Sequence, residues 1–364
     1  MLSKLTVMFV ATVVFVGLGA TAAPAQNRPG ETIEPAGSTV LFAQTIDWYD
    51  DTHFVIGRWD GTLSFFRTPG PNEWGPVVVE AIALPSGRGV EMVVALDSGT
   101  IVSSDGRDAL AVWNASPTDV ENFELRQHIV FDPVHGPANS GLAVIVAGQR
   151  YLVTGHEDGF VLTWATGADG ALALDKEIDV RSSAAPSNPW GLHNVRGLAA
   201  WGDAAVVTGS EDGDIVGLNL PDGTEIFRLR YNDKAQRGIN NISIVGDLLL
   251  VANCAVGFED KNIWLFDLAS GMPVLADAEN LALDTTRAQV FNFDADLDAA
   301  VGGALTFFSS TEEGLLWMGN VTDGQLVVTG VTKVSPEGGS IIDVAPGSDI
   351  VATATFAIRL FKSP

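Results

Sequence analysis

The amino-acid sequence predicts an all-β fold, a seven-bladed β-propeller of four-stranded antiparallel blades. Three observations predict it. A unit of apolar strand, Gly- or Asp-containing turn and second apolar strand recurs seven times. Its closing positions, Phe66, Trp113, Trp164, Leu218, Phe266, Gly319 and Phe361, stand 42 to 54 residues apart. The chain between them lacks the 3.6-residue periodicity of helices. Such a period belongs to propeller blades, and a simple β-sandwich does not predict seven similar repeats.

Each unit is a hairpin. It reads HFVIGRWDGTLSFF at 53–66, TIVSSDGRDALAVW at 100–113, YLVTGHEDGFVLTW at 151–164 and AVVTGSEDGDIVGL at 205–218. It continues at 249–266, 305–319 and 350–361. Asp-Gly at 60–61, 105–106, 158–159 and 212–213 supplies the positive-φ residue of a tight turn. A short apolar strand precedes each hairpin, as in VRGLAAW (195–201), and a more polar fourth strand follows, as in FELRQHIVF (123–131). The last repeat runs out after three strands, while GETIEPAG (30–37) is a spare segment ahead of the first blade. That segment is expected to complete the last blade, closing the ring and covering an open strand edge. A single domain over 26–364 is expected.

Residues 1–25 stand outside the pattern. Lys4, an apolar run from Leu5 to Ala20 and the small-x-small sequence Ala23-Pro24-Ala25 have the form of a signal peptide. The run is shorter than the ~20 residues of a spanning helix, and no later stretch reaches ~18 apolar residues. The expectation is an exported monomer, periplasmic or secreted, that starts near Gln26 and has no membrane span. The chain carries 45 acids and 20 bases, a net charge of −25 that becomes −26 without Lys4. So acidic a surface repels phosphate backbones and argues against nucleic acid as a partner. The single cysteine, Cys254, excludes an intramolecular disulfide and reads as a buried free thiol.

HGPANSGLAVIVAGQRYLVTGHEDGFVLTW (135–164) has a leading His, an inner strand, a small-residue strand, an Asp-Gly turn and a closing Trp. It resembles a repeat of the WD-repeat family almost throughout. The resemblance implies a structural hydrogen-bond set of His, Ser or Thr, Asp and Trp, here His135, Thr154, Asp158 and Trp164. The next blade keeps His193, Thr208 and Asp212 but has Leu218 for the Trp. Elsewhere the set is mostly broken, with the closing Trp-Asp surviving only as Trp113-Asn114 and Phe266-Asp267.

Catalytic motifs are missing: the chain has no H-E-x-x-H, Walker loop, G-x-S-x-G elbow or C-x-x-C-H. VVALDSGT (93–100) is half of an aspartic-protease motif without a second copy, so Asp97-Ser98-Gly99 reads as a turn. Asp294, Asp296 and Asp298 alternate as in a calcium loop. Ala299 and Leu305 stand where an EF-hand needs Gly and Glu, and a solvated inter-strand loop is favoured over calcium. His135 and His193 read as structural hydrogen-bonding residues, and His53 and His128 as isolated. No metal or other cofactor is expected.

The expected ligand site is the mouth of the central channel, where loops from every blade converge. Arg88, Arg196, Arg237 and Arg287 occupy four of the six loops that enter inner strands, out of fourteen arginines in all. Asn139, Asn194, Asn240, Asn241 and Gln289 add neutral donors; Arg58 and Trp59 come from a hairpin turn, and Trp190 precedes His193. One reading is a guanidinium ring that binds an anionic small molecule or an acidic side chain of a protein partner. The other is that each arginine bridges to a turn carboxylate such as Asp60, Asp158 or Asp212. Three functions compete: a non-catalytic binding scaffold, an exported lyase- or lactonase-type enzyme using His193 or a channel acid, and an accessory subunit of a periplasmic redox system. The repeats and the missing catalytic set favour the scaffold.

Overall fold

The computed structural model describes residues 32–33, 42–70, 76–114, 123–233, 237–253, 260–283, 290–299, 305–335, 338–346, 350–355 and 358–362. Cys254, Arg287 and Gln289 lie outside them. The described strands form seven four-stranded antiparallel sheets, as the repeat predicts. In six of them the chain runs outward through consecutive strands. The innermost of these are Ala43–Trp48, Val93–Asp97, Ala138–Val146, Val195–Trp201, Ile239–Val245 and Asn292–Ala299. The seventh contains Ile341–Val344, Ile350–Ala354 and Ile358–Lys362, with Thr32–Ile33 as its outer strand. Thr32 there stands opposite Phe361, and Ile33 opposite Leu360.

Each innermost strand touches the next, and the seventh touches the first, so the sheets stand in a ring around an axis. Its apolar core lies between blades. Seven clusters of buried side chains fill the interfaces, including that of Trp48, Phe54 and Ile56 in the first blade with Ala352, Ile358 and Leu360 in the seventh. A middle strand is covered on both faces, which is why Thr100–Ser104 is buried throughout and shows no period of two. Outer strands such as Glu124–Val130 alternate because one face meets water.

Two local features recur. The four Asp-Gly turns place Gly61, Gly106, Gly159 and Gly213 at φ 77°, 76°, 86° and 78°, where an L side chain is strained. In six blades the pairing of third and outer strands slips at the closing position, for example between Thr163 and Trp164 and between Gly217 and Leu218. Such a bulge re-aims the closing side chain.

Candidate functional site

A second bulge builds the channel mouth. Where the innermost strand of the first blade begins, Ala43 pairs with Arg58 and Thr45 with Gly57, so Gln44 is left over. The same slip leaves Asn139, Arg196, Asn240 and Phe293 unpaired in the third to sixth blades. A bulged residue is released from the ladder and turns out of the sheet. All five line one cavity of about 920 Å³ on the axis, joined by Glu91 from the second blade and Gly339 from the seventh. The mouth thus takes one residue from each blade. A Cβ on Gly339 would stand 2.2 Å from the Phe293 ring, so the glycine lets that aromatic lie across the seventh place.

Polar bonds join the ring. With its amide turned to suit both neighbours, Gln44 accepts from the Trp59 indole N–H and donates to Glu91. Asn139 donates to Asn194 (2.6 Å), and Arg196 Nε donates to Glu211 Oε1 (2.6 Å). Burial pushes the Glu91 carboxyl up, with Arg196 opposing. Phe42, Trp59 and Phe293 border the same cavity and are 47%, 58% and 47% exposed. Phe42 meets Trp59 edge-on at 6.0 Å between ring centres.

Below the mouth the wall is acidic on one side. Asp47, Asp294, Asp296 and Asp343 line it from the first, sixth and seventh blades, and Ala95, Leu142, Ala143 and Ala200 from the second to fourth. Three of these carboxylates reach the neighbouring blade. Asp47 accepts the Ala95 N–H (2.6 Å), Asp294 accepts the Ile342 N–H (2.9 Å), and Asp296 accepts the Ser243 hydroxyl (2.5 Å). Thr45 with the Val93 N–H and Ser243 with the Leu297 N–H repeat the pattern, so inner-strand oxygens staple adjacent blades. Burial pushes Asp47 and Asp294 up to about 7. Asp343 is raised well above the carboxylate range by burial and by the charges of Asp47, Asp296 and Asp294.

The expected ring of guanidiniums does not form among the described residues. Arg237 is buried, donating to the Asp212 carbonyl and to Ser187 Oγ (2.6 Å). Arg58 pairs with Asp60 at 2.9 Å. Arg88 is exposed beside its turn and does not line the channel. Among the described arginines of the predicted set Arg196 alone lines it, together with Trp59, Asn139, Asn240 and Asn241. Trp190 is 45% exposed beside Gly238, outside the lining. His193 is buried, bonded to Asp212 through Nδ1 (2.6 Å), and does not line the channel. Among the described residues the bulge, present in five blades, turns an arginine to the channel only at Arg196.

Other expectations need correction. Asp294, Asp296 and Asp298 belong to the innermost strand of the sixth blade, not to a solvated loop. Among the described residues no group of three or more His, Cys, Asp or Glu is arranged to hold a metal. His53 and His128 are not isolated: they contact Asp50 (3.2 Å) and Asp105 (2.8 Å). Asp97 does end a strand at a turn, where its Oδ1 accepts the Gly99 N–H, and it also pairs with Arg150 of the next blade (2.6 Å).

The hydrogen-bond set implied by the repeat is divided in two. His135 contacts Asp158 (2.8 Å), while Trp164 Nε1 donates to the Thr154 hydroxyl (3.0 Å). That hydroxyl meets His156 Nε2 (2.9 Å), a partner the sequence reading missed. Thr154 and His156 are two apart on one strand and share a face, which was the available signal. Burial holds the His156 ring down at about 4. In the next blade Leu218 offers no indole N–H, and the buried hydroxyl of Thr208 has no hydrogen-bond partner.

Two of the solved structures similar to this chain are β-propeller domains that it matches over nearly their whole length. The WD40 β-propeller domain of Doa1 superposes with a TM-score of 0.64 at 12% identity, over 92% of this chain and 98% of that one. The β-propeller domain of Myceliophteria thermophila Cps50 (Swd1) gives 0.64 and 12%, over 92% and 100%. The neighbours are WD40 propellers, and at this identity they establish the fold. No family model and no curated relative matches the chain.

Proposed function

We propose that this propeller is a non-catalytic scaffold that docks a protein partner at its channel mouth. The observation that carries the reading is the trio Phe42, Trp59 and Phe293, large aromatics left in water around one open cavity. Exposed aromatics bordered by polar groups are the usual anchors of protein interfaces. Protein binding is also in keeping with the WD40 fold, although fold alone does not fix function. Residues 1–25, read as a signal peptide, place the scaffold outside the cytoplasm in this proposal.

An enzyme reading has one feature in its favour, since Asp47 and Asp294 are strongly shifted and lie in a deep cavity. Both oxygens of Asp294 are engaged, by Ile342 N–H and the Asn241 amide. Asp47 accepts from Ala95 and Trp48. Carboxylates held this way join blades, and the scaffold accounts for them without a reaction.

Photo-crosslinking in the native host tests the docking face. A crosslinking amino acid at Trp59 or Phe293 is expected to give one discrete protein adduct, and the same group at Val274, on an outer strand, none. Equal adducts at all three positions, or none at the mouth, overturn the assignment.

A further inference from the structure

The partner's chemistry can be read from the seventh place of the mouth, an inference that rests on the docking reading. We propose that the channel receives the lysine or arginine side chain of an extended basic segment of the partner, which enters between Phe42, Trp59 and Phe293 and ends at Asp343.

Four observations meet there. Gly339 presents no side chain where most other blades present a polar one, and the Phe293 ring lies across its place, so the seventh blade meets the mouth with an aromatic face. The three aromatics at the mouth offer faces to a cation, which favours guanidinium or ammonium groups. Beneath it, Asp343 Oδ1 accepts the Val344 N–H (3.0 Å), while no hydrogen bond to Oδ2 is found among the described residues. Asp343 also feels the charges of Asp47, Asp294 and Asp296, and a cation in their midst would relieve that repulsion.

Among the described residues the channel supplies no such cation from this wall. Its lining holds Asp47, Glu91, Asp294, Asp296 and Asp343 against Arg196, which stands on the fourth blade and is bonded to Glu211. The level of Asp343 lies between those of Asp294 and Asp296, about two residues or ~7 Å along the strand direction from Phe293. A four-carbon lysine stem or an arginine spans that depth. Leu142, Ala143 and Ala200, which line the channel from the third and fourth blades, suit its methylenes. The chain's charge of −25 steers a basic segment toward it and repels an acidic one.

The test uses an array of immobilised random decapeptides probed with the full mature protein in 150 mM salt. Peptides that need Trp59, shown by loss with Trp59→Ala, are expected to contain one Lys or Arg whose change to norleucine weakens binding at least tenfold. Asp343→Asn, which keeps the side-chain shape, and Asp296→Asn are each expected to weaken the same peptides at least fivefold. Glu225→Gln, on an outer strand, is expected to change binding less than twofold. Melting curves confirm that each variant is folded.

Rim-dependent peptides that need no cation overturn this proposal and leave the docking reading standing. Absence of any rim-dependent peptide removes both. A cation requirement weakened as much by Glu225→Gln as by Asp343→Asn means general attraction to an acidic protein, and overturns the assignment. Spermidine bound one-to-one through Asp343 while no peptide binds makes the occupant a free polyamine and overturns it as well.

Discussion

Two threonines at equivalent places show what a single hydroxyl does here. Thr154 is buried and accepts from the Trp164 indole, whereas Thr208 is buried with its hydroxyl unbonded in the blade that carries Leu218. Valine keeps the shape of both. Thr154→Val leaves the indole N–H without its acceptor and should cost about 1–3 kcal/mol. Thr208→Val removes an unsatisfied group and should be neutral or stabilising. Urea midpoints of the two variants measure the contrast, and equal losses contradict it. The repeat pattern located Thr154 and Trp164 because their places are set by strand order. It could not reveal that His156, rather than His135, meets the hydroxyl, since that depends on how the leading loop folds over the strand.

Between strands, the inner-ring oxygens carry a pH signature. Asp47 and Asp294 stand near 7 in the folded protein, against an ordinary 3.8. The folded state therefore holds their protons more tightly, and the stability they contribute is complete below about pH 4 and lost as pH rises toward 7. Burial also raises Asp296, Asp298 and Glu91, which act in the same direction. His156 opposes them: lowered to about 4 from 6.5, it adds stability as pH rises through that window. The carboxyls outnumber it, so the melting temperature is expected to fall between about pH 4.5 and 7.5. Asp343→Asn should raise the melting temperature at the upper end and flatten the fall. A melting temperature that climbs across this range contradicts the burial of these acids. Alternating Thr45 and Asp47, or Asp294 and Asp296, was visible in the sequence. Their direction was not, because a strand and a solvated loop can carry the same alternation of carboxylates.

The ring depends on joining its two ends. Thr32–Ile33 pairs with Ile358–Lys362, which would otherwise present a free strand edge. A chain beginning at residue 38 is expected to melt earlier and to self-associate, as followed by calorimetry and sedimentation. Unchanged melting and a monomeric boundary would show that this short strand adds little. Because each blade buries its faces only against its neighbours, the loss should spread through the interface of the first and seventh blades, where Trp48 and Leu360 share one cluster.

Seven repeats, their strand order and their Asp-Gly turns were legible from residue order, since hairpins are local and their periods register in composition. The channel lining was legible only in part, at Trp59, Asn139, Arg196, Asn240 and Asn241. One-residue slips at Gln44, Asn139, Arg196, Asn240 and Phe293 choose which side chains reach the axis. A slip of that kind arises from how seven sheets fit around one centre, a long-range packing condition that no single repeat records. Hence the arginines, conspicuous in the loops, went largely to bridges and solvent, and the aspartates came to define the field inside.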